Sequence, residues 1–440
     1  MKKRTIQILL ALVTALFLGG CSMVTVEQMY SPPKRSQMYN DLQLAIDAAM
    51  TDLSYCAPLT GEHQQPVQMA DLDGNGTDEV LLFAKSNRER PLRILVFRNE
   101  NGAYKLADTV ECSGTAFDQV EYVQMDSKPG LEVVVGCQVS DQVIRSASVY
   151  TFTLGQIEQL ISVNYTKFLT VDMNADSISE MMVIRPGLTD TDNGVVELYS
   201  IRKGSAERSN EVSMSQPADK LKRIISGKLH DGDLAVYVAS MVGDNALITD
   251  VYTIVDGMLT NVTLSSEAGT SVLTLRNYYV YADDIDNDGV VELPCLLTMK
   301  PRSETYSDSR HQLIRWYAMA SNGTEVDKMY TFHNFVGGWY IQLERDWASR
   351  LTVTNWNNQY TFYLWDEAYK SSEKIFTVYA FSGQDREQQG TSHDRFVLNR
   401  TESMVYAACL EEGAEDLNIT RDEIIYSFRM IQQDWKTGET

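Results

Sequence analysis

The chain has 440 residues, 44% of them hydrophobic, with 60 acidic against 38 basic side chains and a formal net charge of −22. Such a surface is a poor partner for nucleic acid and for anionic lipid faces, and it favours bound cations. The six cysteines include no C-x-x-C pair and no Cys/His zinc spacing, and the length exceeds what one small core takes, which points to two units or one repeat array.

Lys2, Lys3 and Arg4 precede an apolar run from Ile6 to Leu18. Thirteen residues is shorter than the roughly 20 needed to span a bilayer, so the run reads as an export signal (residues 1–20). It ends in Leu18-Gly19-Gly20-Cys21, which resembles the bacterial lipobox. That resemblance implies cleavage before Cys21, lipid attachment to its thiol, and anchoring on the extracytoplasmic face of the cell membrane, where two acyl chains hold stably. Losing the three positive charges of the signal takes the net charge from −22 to −25. Residues 21–37, with Pro32-Pro33 inside, read as a tether. The remaining cysteines, Cys56, Cys112, Cys137, Cys295 and Cys409, allow at most two disulfides.

A helix is expected next, where Leu42, Ile46, Ala49 and Leu53 keep near-helical spacing after Asn40 as N-cap. An acidic loop then recurs. It occurs as Asp71-Leu-Asp73-Gly-Asn75-Gly76-Thr77-Asp-Glu79, Asp172-Met-Asn174-Ala-Asp176-Ser177-Ile-Ser-Glu180, and Asp284-Ile-Asp286-Asn-Asp288-Gly289-Val290-Val-Glu292, each followed by a strand-like apolar run. Weaker copies start at Asp126, with a shortened loop ending in Glu132, and at Asp231. Returns about every fifty residues, with strand-and-turn patterns between them, suggest a mainly β fold: a unit over residues 38–337 made of the helix and a β-propeller of about five to seven four-stranded blades.

Calcium takes six to eight oxygen ligands, and alternate residues of a tight loop supply them. The first loop offers Asp71, Asp73, Asn75, the Thr77 carbonyl and Glu79; the second Asp172, Asn174, Asp176 and Glu180; the third Asp284, Asp286, Asp288, the Val290 carbonyl and Glu292. The closing acid at position nine, and the strand after it, exclude an EF-hand. This short loop entering a strand resembles the FG-GAP and VCBS repeats of integrin α heads and bacterial surface proteins. The resemblance runs from about Met69 to Leu297 and implies a propeller with structural calcium in its blade hairpins; the Phe-Gly and Gly-Ala-Pro signatures are absent, so integrin-like ligand binding does not carry over. Ser177 stands where glycine would ease a left-handed turn.

Residues 338–440 read as a small α+β domain or a divergent last blade. Strands are expected near Leu351–Thr354, Tyr360–Leu364 and Ile375–Phe381. A terminal helix follows, opened by the Thr420/Glu423 capping box, with Ile424, Phe428, Ile431 and Trp435 on one face. Trp339, Trp347, Trp356 and Trp365, beside Tyr340, Tyr360 and Tyr363, fit core packing better than a flat ligand platform.

No G-x-S-x-G, H-E-x-x-H, P-loop or dinucleotide motif occurs, and the five histidines are scattered. The sequence therefore favours a non-catalytic, calcium-binding surface protein with a protein or polysaccharide partner. Two alternatives stand beside it: an enzyme acting on polysaccharide, as lyase or hydrolase, and a structural or sensor ectodomain of a membrane complex.

Overall fold

The computed structural model describes residues 37–139, 144–189, 192–277, 280–302 and 311–431. The signal, Cys21, nearly all of the tether, and Trp435 lie outside these residues, as does the side chain of Trp347. Among the described residues the chain is mainly β, in six antiparallel sheets of four or five strands that follow one another along the sequence.

The first sheet holds Ser54–Tyr55, Val67–Ala70, Glu79–Lys85, Leu92–Glu100 and Ala103–Cys112. The second holds Ala116–Val123, Glu132–Gln138, Arg145–Thr153 and Gln156–Tyr165; the third, Lys167–Val171, Glu180–Arg185, Val195–Arg202, Ser205–Arg208 and Val212–Ser213. The fourth holds Leu221–Lys228, Leu234–Val242, Ala246–Val255 and Met258–Asn261. Glu292–Thr298, Gln312–Met319, Glu325–Asn334, Trp339–Leu343 and Phe428–Met430 make the fifth, and Leu351–Trp356, Gln359–Trp365, Ser372–Ser382, Phe396–Arg400 and Met404–Leu410 the sixth. Pairing within the fifth sheet thus runs across Gly338, because Trp339–Leu343 pairs with Glu325–Asn334.

Strands with unbroken apolar runs are those buried on both faces. In Glu79–Lys85, Leu81 and Phe83 pack with Phe117 and Val133 of the second sheet, whereas Val80, Leu82 and Ala84 pack with Leu42 and Ile46 of the N-terminal helix. Each later sheet likewise shares a core with the next: Val134 with Met181, Met182 with Val236, Tyr237 with Leu293, and Phe332 with Phe362. The sixth sheet turns Tyr406 and Ala408 toward the fifth. On its other face the helix Arg386–Thr391 lies so close that a β-carbon at Gly390 would stand 2.8 Å from Val405. Both end sheets are therefore covered by helices, and no strand of the first pairs with one of the sixth among the described residues.

The N-terminal helix spans Gln37–Ala49, so Asn40 lies inside it and Leu53 beyond it. The capping box forms as expected, with Glu423 N–H donating to Thr420 Oγ1 and Thr420 N–H to Glu423 Oε2. That helix stops at Ser427, however: Phe428–Met430 goes extended to pair with Trp339–Leu343, and burying Phe428 against Trp339 replaces the continued helical face. Trp339, Tyr363 and Trp365 are buried, while Trp356 is 75% exposed. The five described cysteines are all free thiols.

Candidate cation-binding loops

Among the described residues, four hairpins connect their strands through eight residues. The closing pairs are Ala70 with Glu79, Val123 with Glu132, Val171 with Glu180 and Asp283 with Glu292, so the loops are 71–78, 124–131, 172–179 and 284–291. The loop ending in Glu132 is consequently full length, contrary to the shortened loop expected from Asp126. Its first position is Gln124, and Asp126 occupies the third. Counting back from the glutamate that opens the strand, rather than forward from an aspartate, would have found this in the sequence. The hairpin at Asp231 is the short one, since Lys228 pairs directly with Leu234.

One device repeats in all four. The strand-opening glutamate folds back to accept the backbone N–H seven residues earlier: Leu72 to Glu79 at 3.0 Å, Met125 to Glu132 at 2.8 Å, Met173 to Glu180 at 3.0 Å and Ile285 to Glu292 at 3.1 Å. Burial pushes all four carboxyls up, Glu292 to about 8. Each such group needs a positive partner or a proton.

In the three acidic loops the first aspartate ties the turn together. Asp71 accepts from Asn75 and Gly76, Asp172 from Asp176 and Ser177, and Asp284 from Asp288 and Gly289. The sixth position is left-handed in each, at φ +82° for Gly76, +68° for Ser177 and +84° for Gly289. Ser177 thus adopts the conformation that glycine takes at lower cost.

The loops differ in what faces the glutamate. In the first, Asp71, Asp73 and Glu79 converge, and in the third-acidic loop Asp284, Asp286 and Glu292 do, each trio with ligand oxygens within 4.8 Å of one another. These trios could chelate a divalent cation, calcium among others. Asn75 points its amide oxygen back at Thr77 N–H, and Asp288 accepts from Val290 N–H. The Asp172, Asn174, Asp176, Glu180 loop forms no such trio. There Asn174 donates its side-chain amide to Glu180 Oε1 at 3.1 Å, meeting the need that a cation would meet. In the 124–131 loop Lys128 approaches Asp126 at 3.3 Å, a basic group in place of an ion.

The first three loops also meet in sequence: Leu131 N–H donates to Asp71 O and Ser179 N–H to Gln124 O, so position eight of one hairpin bonds position one of the preceding one, and Val291 N–H, at position eight of the 284–291 loop, donates to Lys228 O at the end of the strand before the short Asp231 hairpin. At the first junction Gly74 and Gly130 are both left-handed, and a β-carbon at Gly130 would stand 2.3 Å from Leu72 O.

Among the histidines, His333 is buried, stacked on Tyr340 at 4.9 Å, and held down to about 3 by burial, a neutral packing residue.

No family model matches the chain, and no curated protein matches it. Among solved structures, a protein from Lactobacillus plantarum is 11% identical with a TM-score of 0.29, over 72% of this chain and 85% of that one. The rhamnogalacturonan lyase YesW is 11% identical with a TM-score of 0.29, over 73% and 72%. Sqt1 of Chaetomium thermophilum is 9% identical with a TM-score of 0.31, over 80% and 97%. All three scores lie below 0.5.

Proposed function

We propose that this chain is a non-catalytic extracytoplasmic protein, held to a membrane by a lipid on Cys21, whose acidic hairpins bind calcium and whose sheets present a surface to a protein or polysaccharide. The observation that carries the cation reading is Glu292. It is fully buried, its Oε2 is engaged by Ile285, and its Oε1 receives no hydrogen bond while facing Asp284 and Asp286. A buried carboxylate oxygen left in that state costs several kcal/mol, on the order of 1–3 for an ordinary polar group and more when charged. An oxygen-seeking divalent ion removes the cost. The propeller reading draws support from successive sheets that share cores; the helices over both end sheets favour an open series of blades within it. Replacing Cys21 by Ser and fractionating cells tests the anchor, which fails as a reading if the variant stays with the membrane.

A second reading, an enzyme acting on polysaccharide, rests on one groove. It has a volume of about 770 Å³ and lies between the fifth sheet and the helix Arg421–Ser427, lined by Asp327, Glu344, Asp422 and Glu423. Facing carboxylates are what glycoside hydrolysis uses. Depolymerisation of an acidic polysaccharide, lost in Asp422→Ala, would favour this reading over binding alone.

A further inference from the structure

We infer that Lys328 is a built-in competitor of the divalent cation at the Asp284–Glu292 loop and sets the affinity of that site; this rests on the cation reading above. Lys328 comes from the strand Glu325–Asn334, far in sequence from the loop. Its Nζ stands 2.5 Å from Asp288 Oδ2 and 3.9 Å from Glu292 Oε1, with the side chain only 20% exposed. The ammonium therefore sits at the edge of the trio whose one orphaned oxygen is Glu292 Oε1.

An ammonium is not a substitute for calcium in this place. It hydrogen-bonds Asp288, but at 3.9 Å it gives Glu292 Oε1 only a through-space attraction. A divalent ion bound among Asp284, Asp286 and Glu292 would stand a few ångströms from that nitrogen, and like charges at about 4 Å repel strongly in a partly buried setting. Binding must then drive the ammonium outward on its flexible four-carbon stem. The structure offers it a destination, because Lys328 also lines the groove that holds Asp327 and Asp422. Ion binding at the loop would thus deliver a positive charge to that groove.

The other loops follow the same logic. Lys128 meets Asp126 where the hairpin has Gln124 in place of the first-position carboxylate, and Arg98 reaches Asp73 at 2.9 Å in the first loop. Among the described residues, only at Glu292 does a basic partner coexist with a buried carboxylate oxygen that no hydrogen bond satisfies. There the lysine leaves the site open to exchange.

The test is calcium titration by calorimetry on the full chain in an Asp73→Ala background, so that the Asp284–Glu292 loop alone is read, comparing Lys328 with Lys328→Met and Lys328→Arg. Lys328→Met should bind calcium about tenfold more tightly while melting lower in chelator, and Lys328→Arg should stay near the parent. A purely structural lysine would lower the melting temperature without tightening binding. Should the Met variant not fold, Lys328→Gln is read in its place. Equal or weaker calcium binding by the neutral variants, with the parent binding measurably, overturns the role of Lys328 and leaves the cation site standing. No calcium heat in any variant overturns both.

Discussion

Gly74 of one acidic hairpin lies so close to Pro129 of the next that a β-carbon built on the glycine would stand 2.3 Å from the proline Cβ. Two hairpins fifty residues apart in sequence are thus fitted backbone to backbone, with Leu131 N–H bonded to Asp71 O beside them. Gly74→Ala should therefore cost about 2–4 kcal/mol, by combining overpacking with left-handed strain. Gly76→Ala, equally left-handed but with nothing within 4 Å, should cost only about 1 kcal/mol. Chemical denaturation of the two variants checks the order; equal losses would mean that the loops do not meet.

Calcium should raise the melting temperature of the wild-type chain by about 1–3 °C at tenfold excess over the dissociation constant. Asp286→Ala should remove part of that rise and Asp126→Ala none of it, since the 124–131 loop carries Lys128 against its aspartate. Scanning calorimetry with calcium and with chelator reads the difference, and identical curves in the two buffers would refute calcium binding.

The pH dependence has a defined sign. Glu292 has a folded value of about 8 against an ordinary 4.5, through burial first and the nearby Asp286 and Asp288 charges after it. Below 4.5 both folded and unfolded chains hold the proton; between 4.5 and 8 the unfolded chain releases it and the folded chain keeps it. In chelator, stability should accordingly fall as pH rises through that window and level off above it. Calcium needs the ionised carboxylate, so its stabilising increment should grow over the same range. In Glu292→Gln the fall should be smaller, as measured by melting temperature from pH 4.5 to 9.

The recurrence of the hairpins was legible because its chemistry is local: an aspartate that ties its own turn, left-handed positions and a strand-opening glutamate all lie within nine residues. The frame of the 124–131 loop was not, because Asp126 mimics a first position, while the bond that fixes the frame, Met125 N–H to Glu132, depends on a backbone amide that any residue supplies. The end of the last helix failed for a non-local reason. Phe428 has the right helical spacing after Ile424, but Trp339 and the open edge of Trp339–Leu343 capture it as a strand. Nor could spacing show Lys328 or Arg98, which reach the loops from other strands. Trp356 departs from the core packing expected of the aromatic stretch, because it closes a two-residue turn whose Asn357 and Asn358 are both left-handed and turns its ring outward.

Ile46→Ala should cost about 2–4 kcal/mol, the usual loss for a large aliphatic side chain removed from a closed contact, because Ile46 packs on Val80, Leu82 and Phe97. Leu44→Ala, 68% exposed on the same helix, should be close to neutral. Denaturation midpoints of the pair separate packing from helix propensity.

Helices over both terminal sheets also cover faces that could join one copy of the chain to another. A sheet face bearing Val80, Leu82 and Ala84, or one bearing Val405 and Ala407, would be adhesive if bare, since stacking on the equivalent face of another molecule would continue the same sequence of layers. With a helix on each, the series has a fixed length and no growing end. A molecule trimmed of residues 37–49 would present one such face to its neighbours and should self-associate in proportion to its concentration, whereas the intact chain at the same concentration should not.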